Sequence, residues 1–179
     1  VFRLDSRRKM VDTGLRLAVG RNHFWAMALS DHEVLVAGGF HPLHGSLAEM
    51  ELVDLKHRQV LARPWLFLPL ELFAAVPVKD KVYFVGGARA QQFCTFEYIQ
   101  KLDLKTGEVT LAEGKLAESR YGHAAVWLPA QQKILVIGGK KVSRGEPGPD
   151  GKRPIVETMV RKMEYYDPAT DQVSAAGEL

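Results

Sequence analysis

Long apolar runs are missing from this chain of 179 residues. None approaches the roughly 20 residues that a membrane helix needs. The richest stretch, Trp65 to Val78, is broken by Pro69, Glu71 and Pro77. Cysteine is almost absent. Cys94 is alone, so no internal disulfide holds the fold, and a reducing, cytoplasmic setting is mildly favoured. Charge of one sign is not in excess either. A formal net charge of +3 does not by itself argue for nucleic acid, which would need a clustered basic face. Segments with a 3.6-residue apolar period and helix caps are lacking too, which argues against a helical fold. No Walker-type glycine loop, His-Glu-x-x-His or Gly-x-Ser-x-Gly motif occurs.

What the chain has is a repeat. Val34-Leu-Val-Ala37 runs into Gly38-Gly39, Val82-Tyr-Phe-Val85 into Gly86-Gly87, and Ile134-Leu-Val-Ile137 into Gly138-Gly139. Four apolar residues in a row, mostly β-branched or aromatic, read as a short strand buried on both faces. A second strand-like segment and a short polar turn precede each run, as a β-hairpin would require. His23 and His123 both stand 16 residues before a second glycine, with Phe73 at the corresponding place in the middle copy. Each glycine pair is followed by a loop and a third strand ending in Asp54, Asp103 or Asp167. Val60, Val109 and Val173 lie six residues beyond those aspartates, and Val11 lies six beyond Asp5.

Four short antiparallel strands per repeat of about 50 residues is one blade of a β-propeller. The expected fold is therefore all-β, with four-stranded antiparallel blades in an incomplete ring. Residues 1–14 are the last two strands of one blade. Full blades span 15–64, 65–114 and 115–179, the last with a long basic loop at 140–154. Three and a half blades leave an apolar face and a strand edge open at each end. The chain is accordingly expected to be a segment of something longer.

Arg120-Tyr-Gly-His123, Ile137-Gly-Gly139 and Glu164-Tyr-Tyr-Asp167-Pro168 carry a resemblance to the kelch repeat, and it extends over nearly the whole chain. Kelch repeats usually place Trp on the fourth strand, where this chain has Val. The resemblance implies a binding face built from innermost-strand starts and from the loops after Gly-Gly. On the strand starts these are Arg21, His23, Arg120, Tyr121 and His123. On the loops they are His41, His44, Arg89, Gln91, Lys140, Lys141 and Arg144. Ring-lining arginines in such propellers grip carboxylates, and guanidinium suits that role. The expected partner is thus a protein or peptide, with an acidic one fitting Arg21 and Arg120, and neither nucleic acid nor membrane.

Neither a catalytic residue, a metal site nor a cofactor is assigned. His41 and His44 lack a third ligand at informative spacing. The 140–154 loop, rich in glycine, proline and basic residues, is expected to be extended, without a core of its own. The alternative is an enzyme on a kelch propeller, such as a sialic-acid mutarotase-like sugar isomerase, with Arg21, Arg120, Glu71 and His123 available. Copper-radical oxidase chemistry is disfavoured, because His23 and His123 occupy the positions where its crosslinked cysteine and tyrosine would stand.

Overall fold

In the computed structural model, which describes residues 1–4, 6–89 and 92–179, the chain is all-β, with no α-helix among those residues. A short hairpin comes first, β1 (Phe2–Leu4) with β2 (Met10–Asp12). Three four-stranded antiparallel sheets follow. The first orders β3 (Trp25–Ala28), β4 (Glu33–Ala37), β7 (Met50–Asp54) and β8 (Gln59–Arg63). Between its second and third strands sits a small hairpin of β5 (Phe40–His41) and β6 (Gly45–Ser46). The second sheet repeats this with β9 (Ala74–Val78), β10 (Lys81–Val85), β13 (Ile99–Asp103) and β14 (Val109–Leu111). Its small hairpin is β11 (Ala88–Arg89) with β12 (Cys94–Thr95). The third uses β15 (Ala124–Leu128), β16 (Lys133–Ile137), β19 (Lys162–Asp167) and β20 (Gln172–Glu178). Its inserted hairpin pairs β17 (Lys140–Arg144) with β18 (Ile155–Met159).

The consecutive apolar residues of β10 are explained by packing. Side chains alternate across a strand, and β10 has a neighbour on each side. Val82 and Phe84 pack with Leu35, Ala37 and Met50 of the first sheet. Tyr83 and Val85 pack with Ile134, Val136 and Tyr166 of the third. Full burial of a Val or Phe side chain is worth about 1.5–3 kcal/mol, so these two seams hold the sheets face to face. Val109 and Val173 lie at the seams, partly buried, as their place on the fourth strand suggests; Val60 is partly buried outside both clusters. Three four-stranded antiparallel sheets packed in series are compatible with a propeller-like fragment. On the outer face of the first sheet a cavity of about 600 Å³ is lined by Ala26, Val34, Val36 and Val53 together with Val1 and Leu17, and Val36 and Val53 are buried.

The repeated aspartates close the turn between third and fourth strands. Asp54 accepts the Lys56 and His57 N–H groups at 3.0 Å each, and Asp103 those of Lys105 and Thr106 at 2.9 and 3.0 Å. Asp167 does the same for Ala169 and Thr170. Backbone donors bonded to the charged form hold the Asp54 carboxyl down at about 2, the His57 N–H contributing most.

Two equivalences read from spacing are corrected. The first hairpin's turn spans residues 30–32, the second's 79–80 and the third's 129–132, so a constant offset from glycine fails. Phe24, not His23, corresponds to Phe73 and His123: their Cβ atoms lie 2.8, 2.9 and 2.8 Å from where a Cβ on Gly39, Gly87 and Gly139 would stand. His23 instead matches Leu72 and Gly122, all three at positive φ (50°, 52° and 60°). In the N-terminal hairpin Leu4 pairs with Met10, as Val53 pairs with Val60, so Met10 rather than Val11 holds the valine position. Asp5 lies outside the described residues.

Candidate functional site

The glycine pair is where each sheet meets the next. At φ 57°, Gly86 takes a conformation that L residues rarely adopt, and a Cβ there would stand 2.6 Å from the Arg120 carbonyl oxygen. The His123 ring lies directly over it, 2.8 Å from that Cβ position; Phe73 covers Gly38 in the same way. The following glycine donates its N–H across the seam, Gly39 to Leu70 and Gly87 to Arg120, both at 2.8 Å. His123 is therefore a seam residue and does not face a binding mouth, contrary to expectation. Neither ring nitrogen has a hydrogen-bond partner. Burial, then the Arg120 charge, pushes its pKa down to about 4 against a weaker opposing effect of the Val85 backbone.

Arg21 and Arg120 also leave the candidate site. Both side chains are 0% exposed. Arg21 donates to the Gly38 and Glu49 carbonyls at 2.9 and 2.8 Å and to the Glu51 carboxylate. Arg120 donates to the Gly138 and Lys162 carbonyls at 3.2 and 2.8 Å and to Glu164. Burial draws the Arg120 pKa down, and the Glu164 charge resists that. Each guanidinium ties the glycine turn after its sheet's second strand to the third strand. Each of its three nitrogens already has an acceptor within the scaffold.

The remaining residues sit on the loop side. His23, 51% exposed, places Nδ1 3.2 Å from the Glu71 carboxylate. Glu71 is buried and also accepts the Ser46 hydroxyl at 2.9 Å. A carboxylate at Nδ1 favours the tautomer protonated there, which leaves the Nε2 lone pair as an acceptor or base. His41 and His44 stack with ring centroids 4.5 Å apart. The Leu43 N–H donates to His41 Nδ1 at 3.1 Å, so His41 is occupied in shaping its own loop. No group of three or more His, Cys, Asp or Glu side chains among the described residues is placed to hold a metal.

Between the second and third small hairpins runs a groove of about 180 Å³. Glu71 and Leu72 lie at one side, Arg89, Phe93 and Cys94 at another, and Tyr121, Val142 and Glu157 close it. Phe93 is exposed. The Arg89 Nε is buried without a partner, and its Nη1 reaches Gln92 only at 3.4 Å. Tyr121 donates to Glu157 at 2.5 Å; burial, then that carboxylate, pushes its hydroxyl up to about 12. Of the residues expected on the face, the groove unites Arg89 and Tyr121. Gln91 lies outside the described residues.

The basic loop is not a loose flap. Lys140–Arg144 and Ile155–Met159 form a ladder of five pairs, leaving only 145–154 as its tip. Lys140 pairs with Glu157 at 3.3 Å, Lys141 with Glu118 at 2.6 Å and Lys152 with Asp150 at 3.7 Å, so three of its five cations have a carboxylate partner. Val142 N–H reaches the Thr95 hydroxyl of the preceding hairpin at 3.4 Å. The apolar β-formers Ile155 and Val156 were the available signal for this ladder. Glu157 had no sequence signal, because only the ladder folds it back beside Tyr121. Neither a scan against protein-family models nor a search of curated proteins finds a match for the chain.

Proposed function

We propose that the chain is a run of kelch-type blades that binds a polypeptide through the groove between its second and third small hairpins. One observation carries this reading. The polar residues that recur from sheet to sheet are consumed inside the scaffold, whereas residues that differ between copies meet at the groove. Arg89 brings a guanidinium whose buried Nε has no partner and whose Nη1 is only weakly held, and Phe93 brings an exposed ring. Binding residues concentrate on loops held by a rigid frame. A displayed peptide library panned on this protein should enrich sequences that bind in the groove. Phe93→Ala should weaken them by about tenfold, the loss of roughly 1.4 kcal/mol of aromatic contact, with the melting temperature unchanged. Enriched peptides indifferent to Phe93→Ala and to Arg89→Ala would sink the assignment.

The His23–Glu71 pair supports a second reading, an enzyme on the same propeller that moves a proton at a sugar hydroxyl. His23 Nε2 would be its base, and Glu71 would orient the ring. Arg21 and Arg120 have no part in it, because both are buried. Exchange of anomers of a free sugar acid, followed by NMR and lost in His23→Ala, would be its signature.

A further inference from the structure

The third small hairpin differs from the other two in length and in what it leaves open. β5–β6 and β11–β12 make two pairs each, while β17–β18 makes five. β6 is buried and β12 partly so, but all five residues of β18 are exposed. β18 pairs with β17 alone.

The ladder's register says which peptide groups face outward. Val160 N–H donates to Gly139 O at 2.9 Å, and Gly145 N–H donates to Pro154 O at 2.8 Å. Antiparallel ladders alternate between pairs that exchange hydrogen bonds and pairs that do not. The bonded pairs are therefore Lys141 with Thr158 and Ser143 with Val156. The peptide groups of Ile155, Glu157 and Met159 point away from β17. An exposed edge of this kind is a template for another strand.

Side chains along the edge define what would suit it. Ile155 and Val156 are 42% and 37% exposed. Arg144 stands opposite Ile155, and Arg153 comes two residues earlier. Neither arginine has an ion pair among the described residues, unlike Lys140 and Lys141. Apolar contact lies along the strand and uncompensated positive charge at its Ile155 end.

We infer that the β18 edge is a strand-addition site for an extended peptide of β-branched residues with acidic residues at one end. The peptide runs antiparallel, so its acidic C-terminal end meets Arg144 and Arg153. Outward backbone groups supply hydrogen bonds, and the alternating side chains supply register. The inference rests on the reading that this face binds polypeptide, but it uses a backbone edge instead of the groove.

The probe is acetyl-Val-Thr-Val-Thr-Val-Asp-Asp-amide, titrated into the intact protein and followed by amide hydrogen exchange. Slowed exchange at Ile155, Glu157 and Met159 supports the site. Met159→Pro removes an outward N–H at a residue outside the groove while sparing the inner ladder, since proline is tolerated at such edge positions. It should weaken binding by about tenfold or more, the equivalent of one to two backbone hydrogen bonds. Met159→Leu, which keeps the N–H, should change it less than about threefold. Exchanging the two Asp for Lys should weaken binding severalfold at low salt. Equal binding by Met159→Pro, or protection confined to β11 and β12, overturns the proposal. So does a dimer of the free protein that Met159→Pro dissolves, because the edge is then closed by a second copy. Library peptides that respond to Phe93→Ala and not to Met159→Pro leave the groove reading standing while the edge fails.

Discussion

The middle sheet and its two neighbours solve one local problem in different ways. In the first and third sheets a buried Arg21–Glu51 or Arg120–Glu164 pair ties the glycine turn to the third strand. The middle sheet has Leu70 and Gln100 at the same two places, and both are buried. The Gln100 side chain still serves the incoming chain, accepting Leu68 N–H at 2.9 Å and donating to Leu68 O at 3.2 Å. Glu51 and Glu164 accept Ala18 N–H and Ala117 N–H, both at 2.7 Å. The backbone contact therefore persists in all three sheets, and the charge is present only as a pair. A buried carboxylate without its guanidinium is far costlier than either arrangement.

The sharpest way to break this comparison is Arg120→Leu. It leaves Glu164 buried and uncompensated, and should destabilise the protein by about 3–5 kcal/mol in urea unfolding. Adding Glu164→Gln, which copies the middle sheet, should recover most of that. A double variant as unstable as the single would show that the clasp matters for its carbonyl contacts and not for its charge.

His123 sharpens the difference between the seams, because the seam below it carries Phe73. The folded pKa is depressed from 6.5 to about 4, so between those values the unfolded chain binds the extra proton. The stability attached to the neutral ring is complete above pH 6.5 and is lost as pH falls toward 4, on the order of 3 kcal/mol in all. His123→Phe should remove that part of the acid sensitivity. Parallel pH profiles for the two proteins would count against a buried, unpaired imidazole.

The glycines give the smallest contrast. Gly86→Ala meets the Arg120 carbonyl and the His123 ring as well as an unfavourable φ, and should cost about 2–3 kcal/mol. Gly138 has the same kind of φ, 68°, but only Leu179 nearby, 3.6 Å from the Cβ position. Gly138→Ala should cost about 1–2 kcal/mol, the strain of the conformation alone. Equal losses would mean that the close approach at Gly86 relaxes easily.

Much of the frame was legible in the chain. The apolar runs, glycine pairs and turn aspartates report local needs: burial on two faces, a positive φ, an anchored turn. Such needs act within a few residues, so spacing reveals them. The site was less legible. Arg21 and Arg120 look like exposed cations because nothing local shows that Glu51 and Glu164, 30 and 44 residues away, fold against them. His23 and His123 look equivalent because spacing counts residues, while turn length is set by how each hairpin closes. The groove is less legible still, since Arg89, Tyr121 and Glu157 come from three separate segments.

By itself, then, the sequence determined the sheets, their order of strands and the places where only glycine fits. Tertiary structure alone decided which polar residues serve the scaffold and which stay open on the loop side. The reason is the cost of burying a charge: its role depends on whether a counter-charge reaches it, and that partner is remote in the chain.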